Sequence, residues 1–176
     1  VNKVGFDLAQ TLSSRGFNYE NVKEDWALHA LITDSQLQAI FADQISSEQR
    51  INCLSVLDNL NLEIYGEPQS AWLELICSIN ANLLPCFKYA TIREEADLVR
   101  LYNRSKINLN IQHDHARDCG LAIRVFDSFA SKTLLVIHEI SRTALTSLGF
   151  VENEDYISYS SLNDLKDKCT FFAKNI

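Results

Sequence analysis

The clearest pattern of hydrophobic and polar positions in the chain runs from Lys106 to Ile137. Apolar and polar residues alternate over 106–111, which is the period of a β-strand with two unlike faces. After a polar stretch, apolar residues recur at helical spacing over 121–129, and Leu134–Ile137 is a short apolar run that is typical of a buried strand. This order predicts a βαβ unit whose two strands are parallel.

Helical patterns and short strands alternate along the chain after residue 45. The strands are predicted at 62–65, 86–90, 107–111, 134–137 and 155–159. This alternation predicts an α/β fold, with a Rossmann-like parallel sheet of about five short strands flanked by helices. Residues 1–22 have only weak periodicity, and 23–44 have an amphipathic helical pattern. Neither segment has a strand pattern, so we expect a helical lead-in over 1–45 before a single domain over 46–176.

Composition narrows the classes of function. The net charge of −7 and the pI near 5.0 argue against a nucleic-acid surface, because phosphate binding needs clustered Lys and Arg. The sequence has no apolar run of membrane-spanning length and does not open on a signal peptide, so we expect a cytoplasmic protein. It contains no methionine, even at position 1, and we therefore expect it to be a piece of a larger protein.

The cysteines favour neither a metal site nor a disulfide framework. Their number is five, which is odd, and no two of them have metal-ligand spacing. The sequence therefore predicts reduced thiols, several of them in the core. The five are Cys53, Cys77, Cys86, Cys119 and Cys169.

The βαβ unit also indicates where a ligand would bind. Ligands of open α/β sheets bind at the carboxyl ends of the strands. That edge would carry the polar stretch His113–Gly120, with Arg124 and Asp127 on the helix that follows. If the chain has a small-molecule site, we expect it there.

The run His113-Asp114-His115 is the obvious candidate for a metal site, because imidazole and carboxylate groups bind zinc and other divalent ions. Residues two apart in a turn rarely converge on one point, however, and no third or fourth ligand is evident. A solvated loop is favoured, and we expect neither a metal nor another cofactor. A histidine that contacts a phosphate is an intermediate possibility.

Two further features fit an anion ligand. Gly120 stands where a turn meets a helix, and backbone N–H groups at a helix start can hold a diphosphate, although no G-x-G-x-x-G motif or P-loop is present. Arg124 and Asp127 lie three residues apart on the helix. They either form a surface ion pair or bind a phosphate and a sugar hydroxyl, respectively. His138 also follows a strand and could face this edge, but a loop position explains it equally well.

Two segments carry a family resemblance. GLAIRVFDSFASKTLLVI (120–137) and LGFVENEDYISYSSLNDLKDK (148–168) resemble the C-terminal half of a two-domain (GT-B) glycosyltransferase, and the closest likeness is to the spore-maturation-protein type. Upstream, YNRSKINLNI (102–111) resembles the strand that precedes the binding loop of that family. The resemblance extends, in order, over residues 45–176.

The resemblance implies that the chain is the donor-binding half of an enzyme that transfers a glycosyl group from a nucleotide-diphosphate sugar to an acceptor. Arg124 would lie near the diphosphate and Asp127 near the ribose or sugar, while a helix dipole and basic groups would replace a metal at the leaving phosphate. The acceptor domain and the catalytic base would lie outside these residues, and no catalytic residue is assigned. The expected donor-binding residues are Asn110, His113, Gly120, Arg124 and Asp127.

Three positions depart from the family pattern. Asp127 stands where the family usually has Glu, which shortens its reach, and Lys132 replaces Gly, so we expect a different backbone at that turn. Asn153 also replaces Gly, but Asn adopts left-handed conformations readily. These departures leave open a non-catalytic binding or assembly module of the same fold with a drifted site. A receiver-like domain is less favoured, because it needs an acidic cluster after its first strand and an aspartate at the end of its third.

Overall fold

The structure, a computed structural model, describes residues 46–66, 71–111 and 121–175. The helical lead-in predicted for 1–45 and the polar stretch over 112–120 lie outside these ranges. The domain boundary near residue 45 therefore stays a prediction.

Six helices and three strands build the described part of the chain. Helix α1 covers 46–55, and it is followed by α2 (Ala71–Ile79), α3 (Glu95–Arg104), β1 (Ile107–Asn110), α4 (Ile123–Ala130), β2 (Leu134–His138), α5 (Arg142–Ser147), β3 (Tyr156–Tyr159) and α6 (Leu162–Asn175). Two 3₁₀ helices lie at Ala81–Cys86 and Glu139–Ser141. The three strands and α4 fall within two residues of the bounds that the periodicity predicts, whereas the two 3₁₀ helices were not predicted.

The three strands form one parallel sheet in the order β1-β2-β3. In the register of the sheet, Asn110 lies beside Ile137, and Ile137 lies beside Ser158. Helix α4 connects β1 to β2, and α5 connects β2 to β3, so the sheet consists of two successive βαβ units. The predicted α/β fold with a Rossmann-like parallel sheet is thus confirmed.

The prediction of about five strands was wrong, because three are present in the described ranges. The segments at 62–65 and 86–90 meet only in one isolated parallel bridge between Ile64 and Phe87. Left-handed residues bound the bridge on both sides, with Asn61 at a φ of 54° and Tyr89 at a φ of 48°. Extended pairing cannot continue through such residues, and Cys86 already ends a 3₁₀ helix.

Apolar side chains cover both faces of the sheet. Val136 and Ile157 face one side, where they pack with Cys53 of α1 and with Leu165 and Cys169 of α6. The opposite face carries Leu135, Ile137 and Tyr156, which pack with Val125 of α4 and Leu145 of α5. The buried free thiols of Cys53 and Cys169 confirm the prediction of reduced core cysteines, whereas Cys77 is exposed.

Helix α4 ends in a Schellman motif at Lys132. The Thr133 N–H donates to the Ser128 carbonyl at 3.2 Å, and the Lys132 N–H donates to the Phe129 carbonyl at 3.1 Å. Lys132 has a φ of 56°, the left-handed conformation that glycine adopts most readily. The different backbone expected for this lysine is therefore not found, since the turn keeps a glycine-like conformation. Asn153 is also left-handed, as predicted, with a φ of 67°.

Candidate functional site

The carboxyl ends of the three strands meet at one edge of the sheet. Strand β1 ends at Asn110, β2 at His138 and β3 at Tyr159. Helix α4 begins at the same edge, because the chain leaves β1 there and must return to the amino end of β2. The structure thus brings Asn110 and Arg124 to a common edge. The expected site residues His113 and Gly120 lie outside the described ranges, and their roles stay predictions.

Asn110 is a buried polar side chain with an unsatisfied donor. Its relative exposure is 7%, and its Nδ2 atom has no hydrogen-bond partner among the residues that the structure describes. Because it lies beside Ile137 in the register, its side chain points to the face of the sheet that α4 covers. The free amide therefore lies beneath the first turns of α4.

Helix α4 begins without a side-chain cap. Its N-cap residue is Ala122, whose side chain has no oxygen to offer the first N–H groups, and the Ala122 carbonyl accepts from the Val125 N–H at 3.0 Å. The N–H groups of Ile123 and Arg124 therefore point out of the helix end, which carries the positive end of the helix dipole. This arrangement favours a negatively charged or oxygen-rich ligand.

Arg124 and Asp127 lie on successive turns of α4. Arg124 is exposed and Asp127 is half-buried. Within the described part of the chain the two side chains do not form the surface ion pair that the sequence left open, and neither pairs with another charged residue. A guanidinium group and a carboxylate are thus both available at this edge of the domain.

Sequence reasoning missed Tyr102, which the periodicity groups with the inward-facing residues of α3. Burial raises the pKa of the Tyr102 hydroxyl, the charge of Asp127 raises it further, and the charge of Arg124 lowers it. Tyr102 therefore lies close to both candidate ligand-binding residues of α4. Because Tyr102 and Asp127 belong to different helices, the sequence does not predict that they lie close together. The one signal in the sequence is that a tyrosine occupies a position in the apolar pattern of α3.

The other two strand ends are occupied by internal contacts. His138 accepts a hydrogen bond at Nδ1 from the Ile140 N–H at 3.2 Å, and its ring packs edge-to-face on Tyr159 with centroids 5.1 Å apart. Beyond it, Arg142 binds Glu152 through two contacts of 2.9 Å and 3.0 Å, and it donates to the buried Ser158 hydroxyl at 3.1 Å. These groups hold the end of β3 together and leave the free donors on the side of β1 and α4.

The described ranges show neither a metal cluster nor a membrane-spanning helix. They contain no group of three or more His, Cys, Asp or Glu side chains that could hold a metal ion, and His113-Asp114-His115 lies outside them. No helix in these ranges is long and apolar enough to span a bilayer. A cleft of about 260 Å³ does open beside α3, but none of the candidate site residues lines it.

The parallel sheet flanked by helices defines a Rossmann-like α/β domain. Comparison of the sequence with known protein families identifies the family to which this domain belongs. The family described as glycosyl transferase-like matches residues 48–175, most of the chain, and the protein belongs to that family. No curated protein and no solved structure gives a significant match.

Proposed function

We propose that this domain binds a nucleotide-diphosphate sugar as the donor half of a two-domain (GT-B) glycosyltransferase similar to the spore-maturation-protein type. Membership of the glycosyl transferase-like family and the parallel sheet with a polar carboxyl edge support this assignment. In the reaction, the bond from the sugar carbon to the diphosphate breaks and a bond to an acceptor hydroxyl forms. The acceptor and the base that takes its proton come from outside the described residues.

The unsatisfied amide of Asn110 is the observation that carries this proposal. A buried polar group without a partner costs about 1–3 kcal/mol. The described ranges contain four side-chain atoms of this kind, and Asn110 is the one that ends a strand at the carboxyl edge. Asn110 ends β1 directly at the edge where the family resemblance predicts the donor. An oxygen atom of the ligand would satisfy its Nδ2 group, and we assign Asn110 that contact.

The start of α4 supplies the groups for a diphosphate. The outward N–H groups of Ile123 and Arg124 donate to phosphate oxygens, and the positive end of the helix dipole lowers the energy of their charge. The unpaired guanidinium of Arg124 adds a charge-assisted contact. These groups stabilise the negative charge that develops on the leaving diphosphate as its bond to the sugar breaks.

Asp127 binds a hydroxyl group in this proposal. A carboxylate only accepts hydrogen bonds, so it repels phosphate oxygens and suits the hydroxyl groups of a ribose or a sugar. The glycine-like turn at Lys132 removes one of the two arguments for a drifted, non-catalytic site. The shorter reach of Asp127, relative to the usual Glu, remains as the argument for that alternative.

Calorimetric titration of the 176-residue chain with UDP, GDP and dTDP tests the proposal. We expect saturable binding of one nucleotide, and a loss of tenfold or more in affinity for both Arg124→Ala and Asn110→Leu. Arg100→Ala is the matched control, because Arg100 is an exposed arginine of α3 that pairs only with Asp97 at 2.8 Å. That variant should bind like the wild type.

Two results would contradict the proposal. The first is a folded protein, judged by its circular dichroism and its cooperative melting, that binds none of the three nucleotides. The second is nucleotide binding that Arg124→Ala and Arg100→Ala weaken equally, because the affinity would then reflect general charge rather than a site at α4. Either result would favour the non-catalytic module.

A further inference from the structure

Helices α3 and α4 pack against each other, and the charges of two side chains on α4 act on the hydroxyl of a tyrosine on α3, although the three side chains do not bond to one another. Tyr102 comes from α3, and Arg124 and Asp127 come from α4. In the described part of the chain, the Tyr102 hydroxyl has no hydrogen-bond partner, and the Asp127 carboxylate has neither an ion pair nor a hydrogen bond. A half-buried carboxylate beside an unpartnered hydroxyl is an arrangement that a ligand group can complete.

The backbone holds Tyr102 in a defined position. The Thr133 hydroxyl, at the amino end of β2, donates to the Tyr102 carbonyl at 2.8 Å. Helix α3 therefore ends at the amino edge of the sheet, and its first residues lie toward the carboxyl edge. Side chains on a helix lean toward its N-terminus, so the Tyr102 ring extends along α3 toward the edge where α4 begins. The carboxylate of Asp127 leans toward that edge for the same reason.

The chemistry of the pair selects one kind of ligand group. A tyrosine hydroxyl donates and accepts a hydrogen bond, whereas an ionised carboxylate only accepts. An alcohol hydroxyl satisfies both at once, because it donates to Asp127 and accepts from Tyr102. A phosphate oxygen has no proton for Asp127 and is repelled by its charge. The phosphate therefore belongs to Arg124 and the α4 amides, one turn away.

We propose that Tyr102 is a further ligand-contacting residue, which together with Asp127 binds one hydroxyl group of the ligand and so discriminates against ligands that lack it. This inference rests on the proposed nucleotide-sugar function. The hydroxyl belongs to a sugar ring, which is either the ribose of the nucleotide or the glycosyl group that is transferred. Both rings offer the same chemistry, and the experiment separates them.

The test compares the wild type with Tyr102→Phe, which removes only the hydroxyl oxygen. The titrants are the nucleotide that binds best among UDP, GDP and dTDP, its deoxy analogues, and its sugar nucleotide, with UDP-glucose in the uracil series. The deoxy analogues lack the 2′- or the 3′-hydroxyl for UDP and GDP, and the 3′-hydroxyl for dTDP, which already lacks the 2′-hydroxyl. We expect Tyr102→Phe to weaken binding of the hydroxylated ligand about fivefold to tenfold. It should leave the affinity for the one analogue that lacks the contacted hydroxyl unchanged.

The pattern of losses identifies the ring. A loss that appears with the nucleoside diphosphate and disappears with one deoxy analogue assigns the hydroxyl to ribose. A loss confined to the sugar nucleotide assigns it to the glycosyl group. Tyr89→Phe is the matched control, because the Tyr89 side chain is 51% exposed and belongs to neither helix. It should bind every ligand like the wild type.

A purely structural role for Tyr102 predicts a different outcome, in which Tyr102→Phe lowers the melting temperature and weakens all ligands by one factor. That result, or unchanged binding of all ligands, would overturn the inference. If Arg124→Ala still abolishes binding in that case, the proposed function survives without it. If the folded wild type binds no nucleotide, both are rejected.

Discussion

Lys132 and Gly149 occupy the same position at the ends of two successive helices. Each is the left-handed residue of a Schellman motif, with a φ of 56° at the end of α4 and 88° at the end of α5. In the second motif the Gly149 N–H donates to the Thr146 carbonyl at 3.0 Å, and the Phe150 N–H donates to the Leu145 carbonyl at 3.1 Å. The two motifs thus have the same left-handed turn, which Gly149 adopts readily and which is unfavourable for Lys132 because lysine has a Cβ atom.

Substitutions at these two positions should therefore change the stability of the protein in opposite directions. A left-handed conformation costs a residue with a Cβ atom roughly 1 kcal/mol, so Lys132→Gly should raise the free energy of unfolding by about 0.5–1 kcal/mol. Gly149→Ala should lower it by about 1 kcal/mol through backbone strain alone, because no atom lies within 4 Å of the added Cβ. Urea unfolding followed by circular dichroism measures both. Equal effects of the same sign would contradict this account of the two turns.

The ion pair between Arg142 and Glu152 should make stability depend on pH. Hydrogen bonds from the Ser158 hydroxyl and the Arg142 guanidinium hold the pKa of Glu152 below its usual value. A lowered pKa contributes stability above the unfolded-state pKa, and this contribution is lost as the pH falls through the folded-state value. At pH 7, Glu152→Gln should therefore lower the free energy of unfolding by about 1 kcal/mol.

The difference between Glu152→Gln and the wild type should shrink as the pH is lowered below 4.5, because the wild-type carboxylate is then progressively protonated as well. Urea unfolding at several pH values measures it. Glu154→Gln is the control, since Glu154 is exposed and lies only two residues away. A difference that stays constant with pH would mean that shape, not charge, accounts for the effect.

The cysteines should differ sharply in reactivity. Burial raises the pKa of the Cys169 thiol to about 11 and also raises that of Cys53, so little of the reactive thiolate forms at pH 8. Cys77 is exposed and free. Brief alkylation of the folded protein, read by peptide mass spectrometry, should label Cys77 while sparing the other two. In guanidinium all three should react alike, and native labelling of Cys169 at the rate of Cys77 would refute the buried assignment.

Removing a buried hydroxyl that has no partner should stabilise the domain. The Tyr156 side chain is 1% exposed, and its hydroxyl forms no hydrogen bond within the described part of the chain. Tyr156→Phe should therefore raise the free energy of unfolding by about 1 kcal/mol. Tyr159→Phe provides the comparison, because the Tyr159 hydroxyl contacts the Cys53 sulfur at 3.8 Å, and its loss should be neutral or destabilising. A destabilised Tyr156→Phe variant in thermal unfolding would indicate that the hydroxyl has a partner.

The periodicity of the sequence correctly predicted the helices and strands whose pattern is set by residues close together in the chain. The βαβ unit over 106–137 was correct in type and sequence, because its alternation and its helical spacing are each set by neighbouring residues. The segments 62–65 and 86–90 were wrongly predicted as strands. Whether they pair beyond one bridge depends on each other and on two left-handed residues, Asn61 and Tyr89. Neither residue is a glycine, so composition gives no sign of the break.

The candidate site was predictable only in part for a related reason. Asn110 and Arg124 could be placed at one edge because a βαβ connection is local in sequence. That the Asn110 amide is buried without a partner depends on α4 packing over the sheet, which a linear pattern does not encode. Tyr102 belongs to a different helix from Asp127, and at helical spacing a tyrosine resembles an ordinary core residue.

The hydrogen bond from Thr133 to the Tyr102 carbonyl has a mechanical consequence for the whole domain. It ties the last turn of α3 to the turn that connects α4 with β2, so the two helices are joined at the amino edge of the sheet. A ligand that touches both helices meets side chains whose separation is already set. In the proposed function, a ligand that binds across both helices therefore loses little ordering entropy, because the two sides of its site are already joined before it arrives.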